Sequence, residues 1–177
     1  IVCTLVLLAA CVGVTHLRAD GVPASDLVLG ASEARDGQVA LAEHFPGGSG
    51  SPAYVLVPED RAAEAVDVLE RAAGIDSIAV LSSDAPGGQA PVFAADGTLQ
   101  TTAFGRPGTP APAPTVSDGD VLLAATLANT ADSVAADDTV REVRATLTAE
   151  LGAGTAIVGG VTATDIEGSP EPQPTPW

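Results

Sequence analysis

Side chains able to carry chemistry are few in this chain and far apart. His16 and His44 are its two histidines; a change from apolar to polar sequence separates them, so no paired-imidazole metal site follows. His44 precedes Phe45-Pro46 at an expected helix end, where an imidazole is simply stabilised by the negative end of the dipole. Ser82 and Ser83 lie in no Gly-x-Ser-x-Gly elbow and have no histidine patterned to activate them. Asp132, Asp137 and Asp138 bring three carboxylates close in sequence, but acids at a helix start are accounted for by capping. Pro46-Gly47-Gly48-Ser49-Gly50 shares with phosphate loops its glycine content alone, because the lysine such loops use is missing from the whole sequence. A flexible turn is expected there. Gly159-Gly160-Val161-Thr162-Ala163 follows an expected strand, and paired glycines permit close backbone approach or a sharp change of direction at a loop. Together these residues predict no catalytic, cofactor-binding or metal-binding side chain, and no enzyme. A binding groove, if the domain forms one, should be apolar and lined by small aliphatic side chains, with no residue singled out by sequence.

The elements that would position any site begin after an apolar run. Residues 1–17 carry no charge, and the first basic side chain, Arg18, follows them. That order predicts part of a transmembrane helix, since about 30 Å of hydrocarbon needs about 20 apolar residues, and a secretory signal would carry its positive charge first. Cys3 and Cys11 both lie in this run, eight residues apart, too far along a helix for an intramolecular disulfide. Leu8-Ala9-Ala10-Cys11 also has the pattern of a bacterial lipoprotein signal. The apolar continuation Val12-Gly13-Val14 favours a membrane helix instead.

Beyond it the chain is acidic. Seven arginines, no lysine and 23 acidic residues give a net charge of −16, which excludes electrostatic attraction to nucleic acid or anionic lipid. The hydrophobic content of 46% includes three Phe, one Tyr and one Trp with no Met, so the core must be small and aliphatic. Lysine-free, Ala/Gly/Pro/Asp/Arg-rich usage suggests a high-GC bacterial genome. The expected division is a partial transmembrane helix over 1–17, a linker with a short amphipathic helix over 18–52, a folded domain over 53–165 with an insertion at 82–118, and a Pro-rich disordered tail over 166–177.

Within the linker, residues 32–45 predict a helix capped by Ser32, with apolar positions at Ala34, Leu41, Ala42 and Phe45. Ala53–Val57 predicts a buried strand. Pro58-Glu59-Asp60 starts a helix whose face is Ala62, Val66, Leu69 and Ala73 and whose left-handed cap is Gly74. Asp76–Leu81 is a second strand. Pro91–Phe104 predicts a hairpin turning at Asp96-Gly97, followed by an extended Pro-rich surface loop. Val121–Leu127 is the clearest strand. Asp137-Asp138 opens a second long helix with Val140, Val143, Leu147 and Leu151 on one face and Gly152 as cap, and Thr155–Val158 is the last strand. This order predicts an α+β fold, a ferredoxin-like βαββαβ sandwich with two helices on one face of a four-stranded antiparallel sheet. The other face needs cover, from the first helix, the insertion or a partner domain.

Two stretches carry a family resemblance. Glu33–Pro52 resembles the passage from linker to first porter strand in the MMPL family of the resistance-nodulation-division superfamily, particularly its actinobacterial members. Thr139–Arg144 and Val158–Ala163 resemble that family's closing porter helix and glycine-rich strand end. The resemblance implies the extracytoplasmic porter domain of a proton-driven exporter of lipids or other hydrophobic compounds, most like the second such domain. It implies as partners the remaining transmembrane and porter domains and a hydrophobic or lipid substrate, and as location the plasma membrane with the soluble part outside.

The departures are as plain as the match. Family members carry about a dozen membrane helices and an ionisable proton relay within them, whereas this sequence offers one partial helix and, after Asp165, a polar Pro-rich end unable to span a bilayer. The expectation is a fragment that does not transport by itself. The alternative is a membrane-anchored or lipidated extracytoplasmic protein that binds a ligand or partner.

Overall fold

The computed structural model describes residues 44–103 and 108–168, together with residues 33, 37, 40, 41 and 105. The apolar run 1–17, with Cys3, Cys11 and His16, and the tail beyond residue 168 lie outside the described residues. Among the described residues no helix is long and apolar enough to cross a membrane.

Seven strands and three α-helices follow the helical positions 33, 37, 40 and 41, where the sequence reading expected a four-stranded sheet with two helices. In chain order they are β1 (Ala53–Pro58), α1 (Ala62–Arg71), β2 (Ile75–Leu81), β3 (Gln89–Ala95), β4 (Thr98–Thr101), β5 (Val116–Ser117), β6 (Asp120–Leu127), α2 (Val134–Leu151), β7 (Ile157–Gly159) and α3 (Val161–Gly168). A short 3-10 turn, Glu59–Arg61, leads from β1 into α1. One sheet holds all seven strands in the order β4-β3-β2-β6-β1-β7, with β5 pairing β6, and every pairing is antiparallel. Because β6 lies between β1 and β2, the crossover through α1 joins two parallel strands; α2 does the same for β6 and β7 around β1. The sheet is built of two interleaved β-α-β units.

β6 is central, and from Val121 to Ala125 its residues are apolar at both parities. Val121, Leu123, Ala125 and Leu127 point into the core with Val55, Val57, Ile78 and Val80, against Val66 and Leu69 of α1 and Val140, Val143 and Leu147 of α2. All of these are buried. Side chains of this size leave little volume to spare, so the core holds by close packing of many small aliphatics in the absence of aromatic rings.

Several boundaries differ from the sequence reading. α1 ends at Arg71 with Ala72 extended, so Ala73 is exposed and Gly74 is not a left-handed cap. Gly74 is there for contact, since a Cβ would overlap Thr139 of α2. α2 starts three residues before Asp137, where the Ser133 hydroxyl accepts from the Ala136 N–H at 3.2 Å; a hydroxyl cap outweighs the acidic pair as the start signal. Its cap at Gly152, φ 98°, is as expected. The hairpin turns at Asp96-Gly97, both at positive φ (51° and 71°), the geometry a two-residue turn needs.

The hairpin of the insertion is part of the sheet and not a cover for it. β3 pairs with β2 and β4 with β3, so it widens the sheet in its own plane. The insertion's Pro-rich stretch is pinned, not loose: the Thr101 hydroxyl donates to the Pro112 carbonyl at 2.6 Å, and the Thr115 N–H donates to the Leu81 carbonyl at 2.8 Å.

After β7 the chain was expected to enter a loop and then a disordered tail. Instead Gly160, at φ 120°, turns it into α3. A Cβ at Gly160 would come within 3.0 Å of the Pro52 carbonyl oxygen, so the glycine permits both the turn and the approach to β1. Ile166, placed by sequence in the tail, packs on the core from this helix.

Candidate functional surface

The chemistry-bearing residues sit in structural roles. His44 is exposed in a turn, its backbone N–H donating to the carbonyl of helical Leu41. Ser82 is fully buried, and its hydroxyl donates to the Ala113 carbonyl at 2.6 Å, locking the Pro-rich stretch to the end of β2. Ser83 is tied by its N–H to the Thr115 hydroxyl at 2.9 Å. Asp137 and Asp138 both meet Arg141 on α2, at 3.6 and 3.2 Å. No group of three metal-binding side chains comes together among the described residues.

Two further ion pairs decorate the helices. Arg61 binds Glu64 at 2.6 Å and Arg71 of α1 binds Glu150 of α2 at 2.8 Å. In each, the hydrogen bond to the carboxylate raises the guanidinium above its ordinary range. Both pairs are solvent-exposed and screened, so they orient side chains more than they stabilise the fold.

Two clefts are shallow. One of about 100 Å³ between α1 and α2 is lined by Val68, Arg71, Glu142 and Val143. A wider one of about 320 Å³ runs between the end of α1 and β2–β3, along Leu69, Glu70, Ile75, Asp76 and Pro91. Neither gathers converging polar groups around an enclosed apolar space, the usual form of a small-molecule site.

The notable surface is the side of the sheet away from the helices. Register brings Ile157, Leu56 and Leu122 into one row across β7, β1 and β6, and Tyr54, Ala124, Ala79 and Pro91 into the next across β1, β6, β2 and β3. Leu81 and Phe93 share that side. Ile157 is 61% exposed, Phe93 44%, Leu81 39%, and Tyr54 and Leu56 37% each. None of these positions is charged in a chain of net charge −16, whereas α1 and α2 carry acids and arginines along their outer faces. The row beyond Leu56 and Leu122 pairs Pro58 with Asp120, so the apolar patch lies over β7, β1, β6, β2 and β3 and has one carboxylate at its margin; exposed apolar side chains grouped in this way favour docking.

Sequence reasoning treated β1 as buried and named no face residue. The signal was present: Tyr54-Val55-Leu56-Val57 and Val121-Leu122-Leu123 are apolar without alternation, and a strand that is apolar at both parities meets something on both sides. Of the covers expected from sequence, the β3–β4 hairpin of the insertion lies in the plane of the sheet, and the described positions 33, 37, 40 and 41 of the expected helix over 32–45 are exposed, Leu41 by 52%, with Phe45 in the following turn at 58%.

No family model matches the chain, and no solved structure matches it. It is similar to the "Putative membrane protein SCO0839" of Streptomyces coelicolor, 40% identical over 157 residues. The match takes in 89% of this chain and 19% of that protein. The chain thus spans about a fifth of the length of the curated relative it matches.

Proposed function

We propose that this chain supplies an extracytoplasmic porter domain to an exporter of the MMPL type, with a ferredoxin-like core whose open sheet face contacts the rest of the transporter along the path of a lipid or other hydrophobic substrate. The observation that carries the reading is the group of exposed apolar side chains on one sheet face, Tyr54, Leu56, Leu81, Phe93 and Ile157, on a domain whose relative is a much longer protein named for the membrane. The strand order β7-β1-β6-β2 with two split β-α-β crossovers supports the ferredoxin-like core, and the β3–β4 hairpin is an addition at its β2 edge. The domain's part in transport is to conduct and to be moved, without bond chemistry of its own.

Sequencing the coding DNA on both sides of residues 1–177 tests this reading. Further apolar helices in frame are the expected result. A start codon with a basic segment directly before Ile1, and a stop directly after Trp177, would replace the exporter by an anchored binding protein.

A further inference from the structure

The segment Pro46–Ser51 has the composition of a flexible Gly/Ser tether, but its backbone is held. The Gly47 N–H donates to the Ala128 carbonyl at 3.2 Å and the Gly48 N–H to the Leu127 carbonyl at 3.1 Å, so the segment pairs with the end of the central strand β6. It is closed on itself as well, because the Ser49 hydroxyl and N–H both donate to the Pro46 carbonyl and the Ser51 N–H donates to that of Gly48. Gly48 is buried. A Cβ there would come within 2.5 Å of the Leu127 carbonyl oxygen, and one at Gly47 within 2.7 Å of the Thr130 nitrogen. A Cβ at Gly50, by contrast, would meet open space.

Both ends of this contact lead to hydrogen-bonded backbone. Upstream, the N–H groups of His44 and Phe45 donate to the carbonyl of helical Leu41 at 3.1 and 2.8 Å, which ties the two residues before Pro46 to that helical turn. On the other flank of β6, the Ala128 N–H donates to the Gly74 carbonyl at 2.9 Å, and three residues past Thr130 the Ser133 cap starts α2. We propose that Pro46–Gly48 is a rigid strap that couples the helical turn at Leu41 to β6 and the start of α2, so that a displacement of Leu41 is passed to the sheet and not absorbed by a loop. The glycines are there because the strap lies backbone against backbone. This inference is independent of what covers the open sheet face.

Hydrogen exchange on the full chain tests it, with Gly48→Ala against Gly50→Ala. In the wild type, residues 44–51 are expected to exchange as slowly as the end of β6. Gly48→Ala should speed that segment by about tenfold or more while β1 stays protected, and Gly50→Ala should leave it unchanged. Exchange of 44–51 at the rate of open chain in the wild type, or equal behaviour of the two variants, would overturn the strap. If Gly48→Ala unfolds β1 too, the deciding measurement is the spin-label distance between Leu41→Cys and Glu142→Cys in an otherwise wild-type chain with Cys3 and Cys11 replaced by Ser. One narrow distance supports the strap, and a broad distribution overturns it.

Discussion

Thr162 and Ser82 are the two fully buried polar side chains that tie distant parts of the chain together. The Thr162 hydroxyl donates to the Ala131 carbonyl at 2.7 Å, holding α3 to the loop before α2, and no buried side-chain polar atom among the described residues lacks a partner. Thr162→Val keeps the shape and removes the donor, so a cost of about 1–3 kcal/mol is expected in urea denaturation. Leu147, 1% exposed on the core face of α2, should cost more: Leu147→Ala leaves a cavity among small neighbours unable to fill it, for a loss of about 2–5 kcal/mol. Neither hydroxyl bond was legible in sequence, since a donor 31 residues from its acceptor has no local pattern. The core face of α2 was legible, because Val140, Val143, Leu147 and Leu151 recur at helical spacing whatever the tertiary context.

At the scale of elements, every strand but the two-residue β5 and both long helices could be read from apolar runs and turn residues, and the ends of helices less well. Ser133 was passed over for Asp137-Asp138, although a hydroxyl one residue before a helix is the stronger start. Ser133→Ala should therefore destabilise the domain by about 1 kcal/mol, measured by thermal or urea unfolding. An equal or larger loss from Asp138→Ala would contradict the assignment. α3 was missed because Val161–Gly168 has neither an acidic first turn nor an apolar stripe, and it forms through docking of Thr162, Ala163 and Ile166 on the core. The hairpin at Asp96-Gly97 was readable from the dipeptide itself, whereas its pairing with β2 was not, because sequence does not say whether an insertion extends a sheet or covers it. The strap was missed for a related reason: glycine and serine write the same composition whether the backbone is free or paired.

Across the whole molecule, the ion pairs gather on the helix side and the exposed apolar side chains on the opposite sheet face, where Asp120 stands at the margin. The helix side holds the ion pairs Arg61–Glu64, Arg71–Glu150 and Arg141–Asp138, and the opposite sheet face holds Tyr54, Leu56, Leu81, Phe93 and Ile157 without a charge among them. The account rests on that face being a docking surface exposed when this chain stands by itself. The direct measurement is binding of an environment-sensitive apolar dye, with sedimentation to read self-association, for the wild-type full chain, for L56K/I157K and for Thr148→Lys on the exposed side of α2 as a charge control, each checked for fold by circular dichroism. Because residues 1–17 are common to all three, the comparison isolates the sheet face. The account predicts that L56K/I157K keeps the wild-type spectrum and loses much of the dye binding and self-association, while Thr148→Lys changes neither. Equal dye binding and association in all three folded proteins would contradict it.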